Sequence, residues 1–294
     1  MDFLEDKIAL VSGGGSGINL EFVKLLNDAG VKVVIADIAL HPSAIEWMSS
    51  LSTTSAPVEF LSTDVTKWTQ LEASFDACVS RFGFVPDIVV PGAGVYEPSS
   101  NSFWKDCDSN DESRYKVLDI NLVHPIKMTR MAIKRLVEAK KGGAIVHVSS
   151  IAGQRSSIVT PLYQVSKHGI NSLIRGMAPL EDLVGIKVTG VAPGTVGTPL
   201  FTEHPEAAKF LDIAQDYLLP PKEIGLAMMA LLTDPKYKSG TVLEVCEVGR
   251  WREVALLNDP GPNGPASKTS KKHEALKDIL PFLNLDEGKV VKTD

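Results

Sequence analysis

Short β-branched apolar runs alternate with longer stretches of helical period over about the first 250 residues. Lys7–Val11, Val31–Ala36, Val58–Leu61, Asp87–Val90, Ala144–Val148, Ile186–Val191 and Val242–Val245 are short, predominantly apolar and β-branched runs, the pattern of strands buried on both faces. Between them, Ile18–Ala29, Pro42–Ser52, Lys67–Phe82, Glu112–Glu138, Thr160–Leu183 and Pro221–Leu232 carry apolar residues at helical spacing. Ile18, Phe22, Leu25 and Leu26 share one face of the first helix, and Gly30 supplies its stop. Pro161 suits the first turn of the helix that carries Tyr163. Pro125, inside a long helical stretch, predicts a bend and a carbonyl freed near Asn121. Strands alternating with helices, without a break in composition, predict one α/β, doubly wound sheet of about seven parallel strands with helices on both faces.

Two stretches stand outside this alternation. Leu200–Pro220 is apolar and irregular, either a packed helix and loop or a mobile lid spanning about 195–220 over an apolar substrate. After Leu257 the chain turns Pro/Gly/Ser-rich and then basic, so a single catalytic domain is expected over 1–257 and a linker-like or disordered tail over 258–294. Ala275–Leu285 reads either as a short docked helix or as no structure.

Composition narrows the classes. The 294 residues are 44% hydrophobic and 22% charged, an ordinary globular balance. A net charge of −6 argues against a general nucleic-acid surface. No apolar run reaches the ~18 residues of a membrane span, and the acidic start MDFLEDKIALVS is unlike a signal peptide. Three scattered cysteines, Cys78, Cys107 and Cys246, give neither a disulfide framework nor a zinc pattern. A cytoplasmic protein without a metal is expected.

The candidate chemistry lies at strand ends. Ser12-Gly-Gly-Gly-Ser-Gly17 joins the first strand to the first helix, and Asp37 ends the second strand. Glycines let a backbone approach a pyrophosphate, a helix N-terminus offers free N–H groups, and an acid can accept from a ribose hydroxyl. Asp37 otherwise is a solvated loop acid. Asp64 either caps the next helix or sits beside an adenine ring, two compatible roles. The small residues Pro91-Gly92-Ala93-Gly94 would let a cofactor lie close. Ser149 and Ser150 end the fifth strand, and Tyr163 and Lys167, four residues apart, share a helix face. A lysine cation beside a phenol favours the phenolate, and a serine hydroxyl can hold a substrate oxygen next to it. A Tyr-x-x-x-Lys pair by itself is commonly a packed ring and a solvated amine.

Taken together these residues resemble the short-chain dehydrogenase/reductase family, over nearly all of residues 5–250. Ser12-Gly-Gly-Gly-Ser-Gly-Ile-Asn19 is similar to its Thr-Gly-x-x-x-Gly-x-Gly loop, and Pro91-Gly-Ala-Gly94 stands where the family has Asn-Asn-Ala-Gly. The resemblance implies a Rossmann fold and NAD as cofactor. The cofactor would be held by Ser12, Gly13, Ser16, Gly17, Ile18, Asp37, Asp64, Val65, Gly92, Ala93 and Gly94. Tyr163, Lys167, Pro193, Gly194, Val196 and Thr198 would hold its nicotinamide end. It also implies a catalytic set of Asn121, Ser150, Tyr163 and Lys167, with Tyr163 as acid/base, Ser150 orienting the substrate oxygen and Asn121 holding a relay water. Asp119-Ile-Asn-Leu122 and Ser166-Lys-His-Gly-Ile170 are most similar to the 15-hydroxyprostaglandin dehydrogenase-like subgroup.

The expectation is an NAD-dependent oxidoreductase that interconverts a secondary alcohol and a ketone on an apolar substrate. A homodimer or homotetramer is expected, with the helices at Glu112–Glu138 and Thr160–Leu183 as interface candidates. The departures at Asn19 and Pro91-Gly92 motivate a second reading, a catalytically silent nucleotide-binding scaffold. A third is a recruited non-redox activity such as cyclisation on the same fold.

Overall fold

A computed structural model describes residues 4–97, 103, 115–203, 215–255 and 280–285. Eight strands form one sheet: β1 (Ile8–Ser12), β2 (Lys32–Asp37), β3 (Val58–Ser62), β4 (Ile88–Pro91), β5 (Gly143–Val148), β6 (Ile186–Pro193), β7 (Val242–Glu247) and β8 (Arg250–Glu253). Their order is β3-β2-β1-β4-β5-β6-β7-β8. The first seven are parallel; β8 runs antiparallel to β7. The expected seven-stranded sheet therefore carries one more strand. Its sequence, RWRE, is charged and sits at the sheet edge, so it has no apolar run to announce it.

Chain order reverses between β1 and β4, which opens a crevice at the carboxyl ends of these strands. Helices α1 (Gly17–Asp28), α2 (Pro42–Ser50) and α6 (Pro221–Thr233) cover one face of the sheet. Helices α3 (Trp68–Phe82), α4 (His124–Glu138) and α5 (Pro161–Gly176) cover the other. Phe22 and Leu26 of α1 and Ile224 of α6 are fully enclosed in the first layer, as are Phe75 and Met128 in the second. Each such side chain stabilises the fold by ~2–3 kcal/mol through its burial.

Three boundaries differ from the sequence expectation. The helix expected over 112–138 is, within the described residues, one turn at Lys116–Leu118, a π-helical segment at Asp119–Val123 and then α4. Pro125 falls in the first turn of α4, where its missing N–H costs least. Helix α5 stops at Gly176 rather than near Leu183, and a separate short helix covers Leu180–Val184. Pro179 explains the break, since it lacks the N–H and its ring would meet the preceding turn. Finally, the tail beyond 257 is not wholly separate from the domain. A 3-10 turn at Leu280–Leu283 buries Leu280 and Leu283, and the Asn284 amide donates to the Val137 carbonyl at the end of α4.

Candidate active site

A cavity of about 1220 Å³ lies over the carboxyl ends of the strands. Every expected cofactor-binding residue except Ser12 lines it, and so do Ser150, Tyr163 and Lys167. Asn121 does not.

The nucleotide end is made by two turns pressed together. Gly13 has a left-handed backbone (φ 69°), and a Cβ there would stand 2.5 Å from the Ala93 Cα, so only glycine fits between the turns after β1 and β4. Ser16 precedes α1 in an extended conformation without a side-chain cap, and no acid sits in the first turn. The first N–H groups of α1 thus face the cavity without a side-chain acceptor from Ser16. Gly17, Ile18, Val196 and Thr198 lie around them. At the edge of the cavity Asp37 accepts from the Gly15 N–H at 2.9 Å and the Ile38 N–H at 2.7 Å. Its burial raises the carboxyl above the ordinary range, against the lowering by these bonds. Asp64 accepts from both the N–H and the hydroxyl of Thr66, which hold its carboxyl below the ordinary range.

Asn19 and Gly92, both departures from the family pattern, meet directly. The Asn19 amide donates to the Gly92 carbonyl at 2.9 Å, and a Cβ on Gly92 would lie 2.5 Å from the same amide. The side-chain volume absent at 92 is therefore supplied from 19. The Asn19 Oδ1 stays buried without a partner.

Ser12 corrects an expectation. It is fully buried beneath the turns rather than in the cavity. The His124 Nδ1 is 3.0 Å from the Ile120 carbonyl, which can only accept, so Nδ1 carries the proton. Nε2 then accepts from the Ser12 hydroxyl at 3.0 Å, and Ser12 Oγ accepts from the Gly92 N–H at 3.0 Å. Sequence reading passed over His124, whose signal is a polar side chain on the buried face of a helix. Burial pushes its imidazole down to about 4.

The catalytic candidates meet where β5 and α5 converge. Ser150 hydrogen-bonds the Tyr163 phenol and lowers its pKa, but burial outweighs this and pushes the phenol up to about 12. The expected depression of Tyr163 by Lys167 is absent in the free chain. The Lys167 Nζ donates to the Val148 carbonyl at 2.9 Å and lies 5.5 Å from the Tyr163 ring centroid. Burial pushes the ammonium itself down to about 8. The Asn121 side chain is engaged by the turn after β4. Its Oδ1 accepts from the Val95 N–H at 2.9 Å and its amide donates to the Val95 carbonyl at 2.8 Å. With both ends of the amide engaged, Asn121 positions the turn after β4 instead of offering a side-chain atom to a relay water. Ser149 is likewise internal, donating to Asn171 Oδ1 at 2.6 Å.

Two residues that lie between the expected strands and helices prove central. Tyr96 stacks edge-on against both Tyr163 and Phe201, with centroids 5.2 Å apart in each pair. Glu97, fully buried, accepts from the Tyr163 N–H at 3.0 Å and so caps α5 from a distant loop. The root of the expected lid is tied down by a bridge between Val196 and Leu219; residues 204–214 of that segment lie outside the described residues.

Residues 7–209 match the family model for short chain dehydrogenase. A short chain dehydrogenase/reductase astE from Aspergillus oryzae is 29% identical over 82% of this chain and 94% of its own length. A cis-4-hydroxycyclohexanecarboxylate dehydrogenase from Sinomonas cyclohexanicum is 30% identical over 82% and 95%. Among solved structures, a 4-hydroxyisoleucine dehydrogenase complexed with NADH has the same fold, with a TM-score of 0.67, 24% identity and coverage of 82% and 97%. The chain belongs to the short-chain dehydrogenases, a family of oxidoreductases.

Proposed function

We propose that this protein is an NAD-dependent oxidoreductase that interconverts a secondary alcohol and a ketone on an apolar substrate, with Tyr163 as general acid/base. The observation that carries this reading is the convergence of Ser150, Tyr163 and Lys167 on one wall of the cavity. The residues present fit a dinucleotide. Gly13 and Gly92 allow close backbone approach, the start of α1 suits a pyrophosphate, and Asp37 suits a ribose diol. Asp64 and Val65 would flank the adenine; Pro193, Gly194, Val196 and Thr198 would hold the nicotinamide end. When bound, the nicotinamide takes up or gives back hydride.

In the oxidising direction Tyr163 removes the hydroxyl proton of the alcohol, while Ser150 holds the substrate oxygen beside the phenol. Lys167 supplies positive charge next to the phenol and a donor toward the ribose. The main-chain carbonyl of Asn121, to which Pro125 has no N–H to offer, is the group left to hold a relay water. Because burial disfavours the phenolate, kcat/KM for alcohol oxidation is expected to rise with pH above neutrality.

Asp37 favours NAD over NADP, since its carboxylate, fixed by two N–H groups, would repel a 2′-phosphate; the next residue, Ile38, is exposed and apolar. The aromatic wall of Tyr96 and Phe201 favours an apolar substrate, in keeping with the 15-hydroxyprostaglandin dehydrogenase-like resemblance. Exposed Val123 and Ile126 near the start of α4 and Val165 on α5 favour pairing into a homodimer or homotetramer. Free Cys78 and Cys246 suit a cytoplasmic location. The bond of Asn19 to Gly92, with both residues lining the cavity, favours an enzyme over a silent scaffold. Calorimetry with NADH and NADPH on wild type and Asp37→Ala tests the reading. NADH is expected to bind at least tenfold more tightly than NADPH, with the gap closing in the variant. Failure of both cofactors to bind would overturn it.

A further inference from the structure

The cavity has a charge pattern that cofactor binding does not use. Its lining cations are Lys67, Lys116, Lys167 and Arg155. Lys67 and Lys116 act on Asp64 at the nucleotide end. Lys167 is buried and bonded to the Val148 carbonyl. Among the described lining cations, Arg155 is the one in the loop that joins Ser150 to Tyr163. Its charge favours the ionised forms of both the Tyr96 phenol and the Cys246 thiol. Its side chain is exposed at the cavity wall. Of the lining acids, Asp37 and Asp64 lie at the nucleotide end; the acid next to the substrate end is Glu97, already bonded to the Tyr163 N–H, and Arg155 forms no ion pair among the described residues.

The backbone beneath Arg155 is anchored. Gln164, buried and next to Tyr163, directs its amide nitrogen to the carbonyls of Ala152, at 2.6 Å, and of Arg155. One loop thus runs from Ser150 through Arg155 to Tyr163, with both ends in the catalytic cluster and its middle pinned to α5. The cavity that Arg155 and Tyr163 both line also carries the apolar side chains of Val159, Leu200 and Phe201 and the ring of Tyr96, beside the hydroxyls of Ser156, Ser157 and Thr160.

We propose that Arg155 receives a carboxylate on the substrate, so that the protein acts on apolar hydroxy acids and their oxo-acid counterparts. The guanidinium fork matches a carboxylate in a bidentate pair, and the apolar walls take the carbon body between that carboxylate and the reacting hydroxyl. This inference rests on the oxidoreductase reading above and narrows its substrate class.

The test is a calorimetric titration with cyclohexanecarboxylate and decanoate, each against its uncharged carboxamide, on wild type and Arg155→Gln. It is run with NADH present and again without it. The expected result is at least tenfold tighter binding of the carboxylates than of the carboxamides to wild type, falling to parity in Arg155→Gln while the carboxamides bind unchanged. Equal binding of carboxylate and carboxamide to wild type, or a preference that survives Arg155→Gln, overturns the proposal. Failure of NADH to bind overturns the oxidoreductase reading instead. In that case the cofactor-free titration still decides Arg155, by the same criterion.

Discussion

The two ends of the cavity are built in different ways. The nucleotide end is mostly backbone. Its groups are N–H donors at the start of α1 and glycines that let two turns touch, and beneath them Ser12 and His124 form a closed hydrogen-bonded layer. The substrate end is side chain. Tyr96, Tyr163 and Phe201 come from three separate segments and meet through their rings, and Arg155 lies in the loop that leads into Tyr163. A backbone site tolerates changes of sequence that preserve volume, as the pairing of Asn19 with Gly92 illustrates. A side-chain site changes its preference with each residue. Within this fold, cofactor chemistry is thereby conserved in form while the substrate is free to vary.

The largest effect separates the two ends outright. Tyr163→Phe is expected to lower kcat by about 10³-fold while the NADH dissociation constant stays within about threefold. Steady-state kinetics and calorimetry check it, and a variant that retains full turnover would remove Tyr163 from the mechanism.

Acid should act on His124, which supports the nucleotide end, and on His147 inside β5, 3.1 Å from the Thr129 hydroxyl. His124 and His147 are buried, with burial holding them at about 4 and about 3. In the unfolded chain a histidine titrates near 6.5, so between these values the unfolded state binds more protons. The stabilisation is complete above ~6.5 and is lost as pH falls toward the folded values. Urea unfolding is expected to show at least about 2 kcal/mol less stability at pH 5 than at pH 7.5. His147→Gln should flatten that slope; an unchanged slope would place the acid sensitivity elsewhere.

A swap sharpens the backbone claim. Gly92→Asn drives a side chain into the Asn19 amide and is expected to cost about 1–3 kcal/mol and to weaken NADH binding. Asn19→Gly alone loses the bond to the Gly92 carbonyl. The double variant should recover both stability and NADH affinity, with a coupling of about 0.5–3 kcal/mol. Simple additivity of the two changes would show that the residues do not compensate one another.

The smallest effect concerns the join between the ends. Glu97→Gln keeps its shape and weakens the charged cap on the Tyr163 N–H, for an expected loss of about 1 kcal/mol and a Tm lower by about 2–4 °C. Unchanged thermal unfolding would make that cap incidental.

The chain by itself determined the layers and most of the nucleotide end. Apolar runs mark β1 to β7, the Gly-rich turn precedes α1, Asp37 ends β2, and Tyr163 and Lys167 share a helix because four residues make about one turn. These features are local, and periodicity and turn chemistry carry them. Tertiary structure decided what depends on two distant residues meeting. Ser12 reads as a cofactor contact until His124 is seen beside its hydroxyl, and the partner of the Asn121 amide is not legible until Val95 is seen to occupy both its ends. Glu97 carries no local signal for its cap on α5, and β8 has no apolar signal because an edge strand can be charged. The Tyr163 phenol shows the same division. The spacing to Lys167 predicts a lowered pKa, but the direction follows from burial, and burial is a property of the packed chain.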